Sequence, residues 1–228
     1  MEYIKKIFDA VIPVLKYMVL SYLVIFAGYI FYIICGGNDA FSYVKNYATV
    51  LLVIFNIGYI VYLLKRNRFL CKKTKPIFSF IMLGIGYACF GNMVIMKFEV
   101  NQVTEINLFL LIISSVIVGP FVEEVIFRYI LVSKLEKFNN RVFTILIASF
   151  IFAIMHSGFS TIIYTFILGI ILNTVYIKNK NLLYPLIVHI FANLSSLFIN
   201  GYNSYILVLS FVLLFISLLI VKKDYLLK

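Results

Sequence analysis

Apolar residues in this chain come in long unbroken runs, not in the strict alternation of a half-buried strand or the one-sided stripe of a soluble amphipathic helix. The runs occupy about residues 17–34, 47–64, 77–96, 108–132, 142–156, 161–177, 182–199 and 205–221. A helix needs roughly 20 apolar residues to cross a bilayer, and short polar clusters separate the runs. The pattern predicts an all-α polytopic membrane protein of about eight transmembrane helices, with residues 1–228 forming a single integral membrane domain. The run 142–156 is short for a full crossing, at about 21 Å of helix. The turn at Ser157-Gly158 is therefore expected below the outer surface. No internal repeat suggests the paired halves of a transporter.

Composition sharpens this reading. Of 228 residues, 64% are hydrophobic and 13% charged, and the mean hydropathy of +1.06 excludes a soluble globular domain. The net charge of +11 would suggest nucleic acid only if the basic residues shared one soluble surface. They punctuate the apolar runs, so no nucleic-acid partner is expected. With the N-terminus inside, Lys5, Lys6, Lys16, then Lys65, Arg66, Arg68, Lys72, Lys73, Lys75, then Lys134, Lys137, Arg141, then Lys178, Lys180, and Lys222, Lys223, Lys228 all fall on the cytoplasmic side. The outer loops receive Lys45 and Lys97. This alternation follows the positive-inside rule and predicts both termini in the cytoplasm. The first run lacks a small-residue cleavage site and is read as an uncleaved span. Cys35, Cys71 and Cys89 show neither disulfide nor metal-ligand spacing.

Arg128 fits no loop. It lies inside the fourth run with Glu123 and Glu124, while His156 closes the fifth run and His189 and Asn193 lie in the seventh. Three charges at membrane depth would cost on the order of 8 kcal/mol unpaired, so they need partners or a function. Glu124 and Arg128 stand at i and i+4 and can pair on one helix face. That pair can be purely structural, but Glu123 points about 100° away and remains an extra carboxylate. Gly119-Pro120 predicts a kink or a half-helix start, which would put the glutamates in its first turns, where the dipole favours negative charge. His189 and Asn193, again i and i+4, can reach one small group together. Phe152 is expected to pack beneath His156, four residues on, and Phe127 has a packing role as well.

Hydrolysis of a peptide bond requires a base for water, donors for the oxyanion and a proton for the leaving amine, and this set can supply each. Glu124, His156 and His189 are equally candidate ligands of a divalent metal such as zinc. The H-E-x-x-H pattern is absent, no aspartate lies in a span, and Met155-His156-Ser157-Gly158 is not a G-x-S-G serine motif.

Glu123-Glu124-x-x-x-Arg128, Phe152-x-x-x-His156 and His189-x-x-x-Asn193 occur in the order found in the CAAX protease and bacteriocin-processing family (CPBP, or Abi), which the chain resembles over about residues 115–200. The resemblance implies an intramembrane endopeptidase whose site lies in a conical cavity open to the cytoplasm. It implies Glu123 as the base that activates water with His156 as its partner, His189 and Asn193 as oxyanion stabilisers, and Glu124 with Arg128 as a supporting ion pair. The family is described both as metal-dependent and as glutamate-type. The tryptophan-free composition, rich in Lys, Ile, Asn and Tyr, resembles that of an AT-rich bacterium. The expected setting is a bacterial plasma membrane, with a membrane-associated peptide or protein as substrate. In such hosts the family is tied to bacteriocin immunity, peptide maturation or membrane-protein regulation. A non-catalytic immunity or regulatory scaffold, and an ion-coupled carrier, are the alternatives.

Overall fold

Backbone polar groups inside a bilayer can be satisfied within a helix, and all of the regular structure among the described residues is helical. The computed structural model describes residues 2–34, 41–66, 77–98, 107–199 and 201–223. Cys35, Cys71, Arg68, Lys72, Lys73, Lys75 and Lys228 lie outside them. The helices are α1 (Glu2–Ile34), α2 (Phe41–Arg66), α3 (Phe78–Phe98), α4 (Leu108–Leu135), α5 (Arg141–Ala153), α6 (Phe159–Asn179), α7 (Leu183–Ser196) and α8 (Ser204–Val221).

Six of these, α1 to α4, α6 and α8, are long and apolar enough to cross a membrane. Helices α5 and α7 have 13 and 14 residues, about 20 Å of rise, which falls short of a bilayer core of about 30 Å. The fifth and seventh runs of the sequence are thus longer than their helices, which stop at Ala153 and Ser196. After Ala153 the chain turns, with the His156 N–H donating to Ala153 O at 3.0 Å. Gly158 then adopts φ +91°, a region that L side chains rarely enter, and starts α6. The start of α5 is set by Asn140, whose side chain accepts from the Phe143 N–H.

Helix α4 is the centre of the bundle, in contact with α1, α2, α5, α6 and α7. Of the kink or half-helix start expected at Gly119-Pro120, the half-helix is not found, since the helix continues through the proline. Two stretches of π-type bonding, Ile112–Val118 and Glu124–Val132, flank an α turn at Gly119–Glu123. The Gly119 N–H reaches back five residues to Ser114 O. Widened turns absorb the proline without ending the helix, and such bulges often occur at functional sites. The glutamates therefore sit in mid-helix, where no dipole end supports them.

Close approaches fix the outer helices. Helix α3 packs against α7 and α8, and a Cβ added at Gly84 would lie 2.5 Å from Val188 O of α7. Helices α5 and α6 meet at Gly169, where a Cβ would come 3.1 Å from Ser149 Cα. One turn on, Asn173 Nδ2 donates to Ser149 Oγ at 2.9 Å. Small residues allow such contacts in membrane bundles. Helix α1 buries Ala10, Val14 and Gly28 and leaves most of its apolar surface outward, as a lipid-facing helix does.

Candidate active site

The site begins on α4, where consecutive glutamates have different surroundings. Glu124 is fully buried, whereas the Glu123 side chain is 28% exposed. Glu124 Oε1 lies 3.1 Å from Arg128 Nη1, and Arg128 is also fully buried. The contact is Coulombic, since its angles lie outside hydrogen-bond range. The guanidinium is held on its other side by aromatic rings, with Cζ 4.5 Å from the Phe152 ring centroid and 5.9 Å from that of Phe127. A desolvated cation over a ring gains on the order of 2 kcal/mol. Phe152 thus does more than support His156. Its ring also meets Phe127 edge-on at 5.0 Å, His156 at 5.0 Å and His189 at 5.8 Å.

His189 comes from α7 and joins the two glutamates. Its Nδ1 lies 2.8 Å from Glu124 Oε1 and its Nε2 lies 3.7 Å from Glu123 Oε2. Glu124, paired with Arg128, is an acceptor, so Nδ1 carries the hydrogen and Nε2 is turned towards Glu123. His156 is oriented in the same sense. Its Nδ1 lies 3.0 Å from Phe152 O, a carbonyl that can only accept, which again assigns the hydrogen to Nδ1. Both histidines are thereby fixed with Nε2 as the available ring nitrogen.

Glu123 and His156 line one cavity of about 280 Å³, together with Phe127, Phe152 and Met155 and with Tyr17, Ser21 and other residues of α1. His156, in the turn after α5, lines the same cavity as Glu123. Asn193 shares the α7 face of His189 but donates from Nδ2 to Ser115 O of α4 at 2.7 Å, which ties α7 to the π-type stretch. The closest histidine contact of Glu123 is with His189, not with His156.

The candidate metal set Glu124, His156 and His189 does not converge. Among the described residues no group of three His, Cys, Asp or Glu side chains is placed to hold a metal ion. Glu124 Oε1 is already engaged with His189 Nδ1 and with Arg128. The donors present do not fit a bound divalent ion.

Three contributors were not singled out by their sequence spacing. Ser115 accepts from Asn193 through its backbone, and a backbone acceptor has no residue signature. Tyr17 and Ser21 lie on α1, more than 100 residues before the glutamates, in a chain with 17 tyrosines.

Comparison with known proteins agrees with the motif pattern. The family model described as type II CAAX prenyl endopeptidase Rce1-like matches residues 105–195. A putative membrane peptidase, YdiL of Bacillus subtilis (strain 168), is 36% identical over 84 residues, which are 37% of this chain and 34% of that protein. The membrane-embedded CAAX protease MroQ of Staphylococcus aureus (strain USA300) is 35% identical over 97 residues, 39% of this chain and 38% of that protein. The match thus spans little more than a third of the length of these curated relatives. No solved structure is significantly similar.

Proposed function

We propose that this integral membrane protein is an intramembrane endopeptidase that hydrolyses a peptide bond with water activated by Glu123. The observation that carries the reading is the division of labour between neighbouring carboxylates. Glu124 is buried, neutralised by Arg128 and bound to His189, while Glu123 opens into a cavity with His189 Nε2 3.7 Å away. The family match over residues 105–195 supports the same chemistry.

In the proposed reaction Glu123 takes a proton from water as the water oxygen attacks the substrate carbonyl carbon. The proton is shared with His189 Nε2, so that two carboxylates face two cations while the negative charge moves to the oxyanion. Uncompensated charge in a low-dielectric site would be costly. His156, across the cavity, presents an unprotonated Nε2 that accepts from the second O–H of the attacking water. Asn193 has a second amide hydrogen beyond the one given to Ser115 and can donate it to the developing oxyanion. The tetrahedral centre collapses with cleavage of the C–N bond, and the proton held between Glu123 and His189 passes to the leaving amine. Water is consumed, and a carboxylate and an amine are the products.

The substrate we favour is a membrane-associated peptide or protein, as the apolar cavity walls suit an apolar segment. We place the chain in a bacterial plasma membrane with eight crossings, α5 and α7 being short ones, both termini cytoplasmic and the cavity in the cytoplasmic half. The test compares membrane and secreted peptides from hosts expressing equal amounts of wild type and Glu123→Ala. A fragment present only with wild type supports proteolysis and identifies the substrate. Identical peptide profiles with an unchanged host phenotype would overturn the reading in favour of a scaffold.

A further inference from the structure

The wall of the cavity opposite Glu123 belongs to α1, outside the segment that matches the family. Three hydroxyl-bearing residues of this wall, Tyr17, Ser21 and Tyr22, line the cavity, and the protons of the first two are already committed. Tyr17 Oη donates to Asn56 Oδ1 of α2 at 3.1 Å. Ser21 Oγ donates to Tyr17 O at 2.9 Å, the back-bond common for serine in helices. The Tyr17 ring is fixed by Phe55 and Tyr59 of α2, at centroid distances of 6.3 and 5.4 Å. Asn56 is 5% exposed, so the hydroxyl is held in place by a buried partner. Glu123 is within electrostatic reach of the same hydroxyl.

An oxygen whose hydrogen is spent can only accept. Tyr17 and Ser21 therefore present acceptors to a cavity otherwise lined largely by apolar side chains. A peptide entering such a cavity brings backbone N–H groups that lose their water, and leaving one unpaired weakens binding. Hydrolysis needs an extended peptide, in which these donors are not satisfied internally. We propose that Tyr17, held by Asn56 and assisted by Ser21, is a substrate-positioning residue that accepts a hydrogen bond from a backbone N–H of the bound peptide near the scissile bond. This rests on the endopeptidase reading above. It assigns α1 and α2 the role of aligning the peptide, while α4 to α7 carry the chemistry. Tyr17 touches the substrate backbone rather than its side chains, so it contributes affinity and register without restricting sequence.

The test uses the purified full chain in detergent micelles and a library of short internally quenched peptides rich in Leu, Ile and Phe. The best-cleaved member is remade as a series in which one amide at a time is replaced by an ester, removing one N–H. Tyr17→Phe keeps the ring and removes the acceptor. It is expected to raise KM roughly 3- to 10-fold, the range of one hydrogen bond, with kcat within about twofold. For the ester that lacks the contacted N–H, wild type and Tyr17→Phe should have equal KM. Ser21→Ala should give a smaller rise with the same pattern. An unchanged KM in Tyr17→Phe, a fall in kcat alone, or an equal loss across every ester would each overturn the assignment, the last by showing a packing role. Glu123→Ala serves as the control. If it cleaves as wild type does, or wild type cleaves nothing, the endopeptidase reading fails and the inference falls with it. If Glu123→Ala is inactive and Tyr17→Phe is normal, only the inference fails.

Discussion

Arg128→Met removes the charge that neutralises Glu124 while keeping an apolar stem of similar length. At an effective dielectric of about 20, charges 3.1 Å apart attract by about 5 kcal/mol. The stacking of the guanidinium on Phe152, at 4.5 Å, adds about 2 kcal/mol. Part of this sum offsets desolvation in the intact protein, and breaking a buried pair from one side costs about 3–5 kcal/mol. That range is the expected loss of stability. The informative comparison is with Glu124→Gln/Arg128→Met, which removes both charges and keeps an amide oxygen to accept from His189 Nδ1. The double variant should recover most of the loss, to within about 1–2 kcal/mol of wild type, because replacement of a whole buried pair by neutral groups is often close to neutral. Reversible unfolding of purified protein in mixed micelles, driven by sodium dodecyl sulfate and followed by circular dichroism, measures all three proteins. The reasoning is refuted if Arg128→Met costs less than about 1 kcal/mol, or if the double variant is no more stable than the single one.

Other perturbations test the framework. Gly84→Ala places a Cβ 2.5 Å from Val188 O and must move α7, which carries His189. A loss of at least about 1 kcal/mol and a fall in peptide cleavage larger than that of a surface control are expected, read by the same unfolding assay and by turnover. Gly158→Ala forces a side chain into φ +91° at a cost of order 1–3 kcal/mol; because the turn positions His156, activity should fall more than stability does. Lys180→Ala breaks the partly exposed ion pair with Glu136 and should change stability by no more than about 1 kcal/mol, leaving cleavage intact.

Hydropathy made the helical architecture legible, since a backbone in lipid has few alternatives to a helix. The same signal misplaced the ends of α5 and α7. Leu197, Phe198 and Ile199 continue the apolar pattern past Ser196, as Ile154 and Met155 do past Ala153, so hydropathy does not register the turns. The proline in α4 was visible, yet its consequence depends on whether the helix can widen, which is decided by the helices packed around it. Glu124 with Arg128 could be read from an i, i+4 spacing on one helix. The link from Glu124 to His189 spans 65 residues, and spacing says nothing of it. The expected link from Glu123 to His156 is represented by a shared cavity, with His189 the nearer ring. Tyr17 and Asn56 carried no signal, because neither residue departs from what a generic membrane helix contains.

The account depends most on Glu123 as the group that activates water. Purified wild type and Glu123→Gln, matched for unfolding midpoint, should be compared for cleavage of the peptide library at neutral pH. Loss of a general base typically costs 10²- to 10⁴-fold in rate, so the account predicts a fall of at least about 100-fold in Glu123→Gln. Retention of activity to within tenfold of wild type would contradict it.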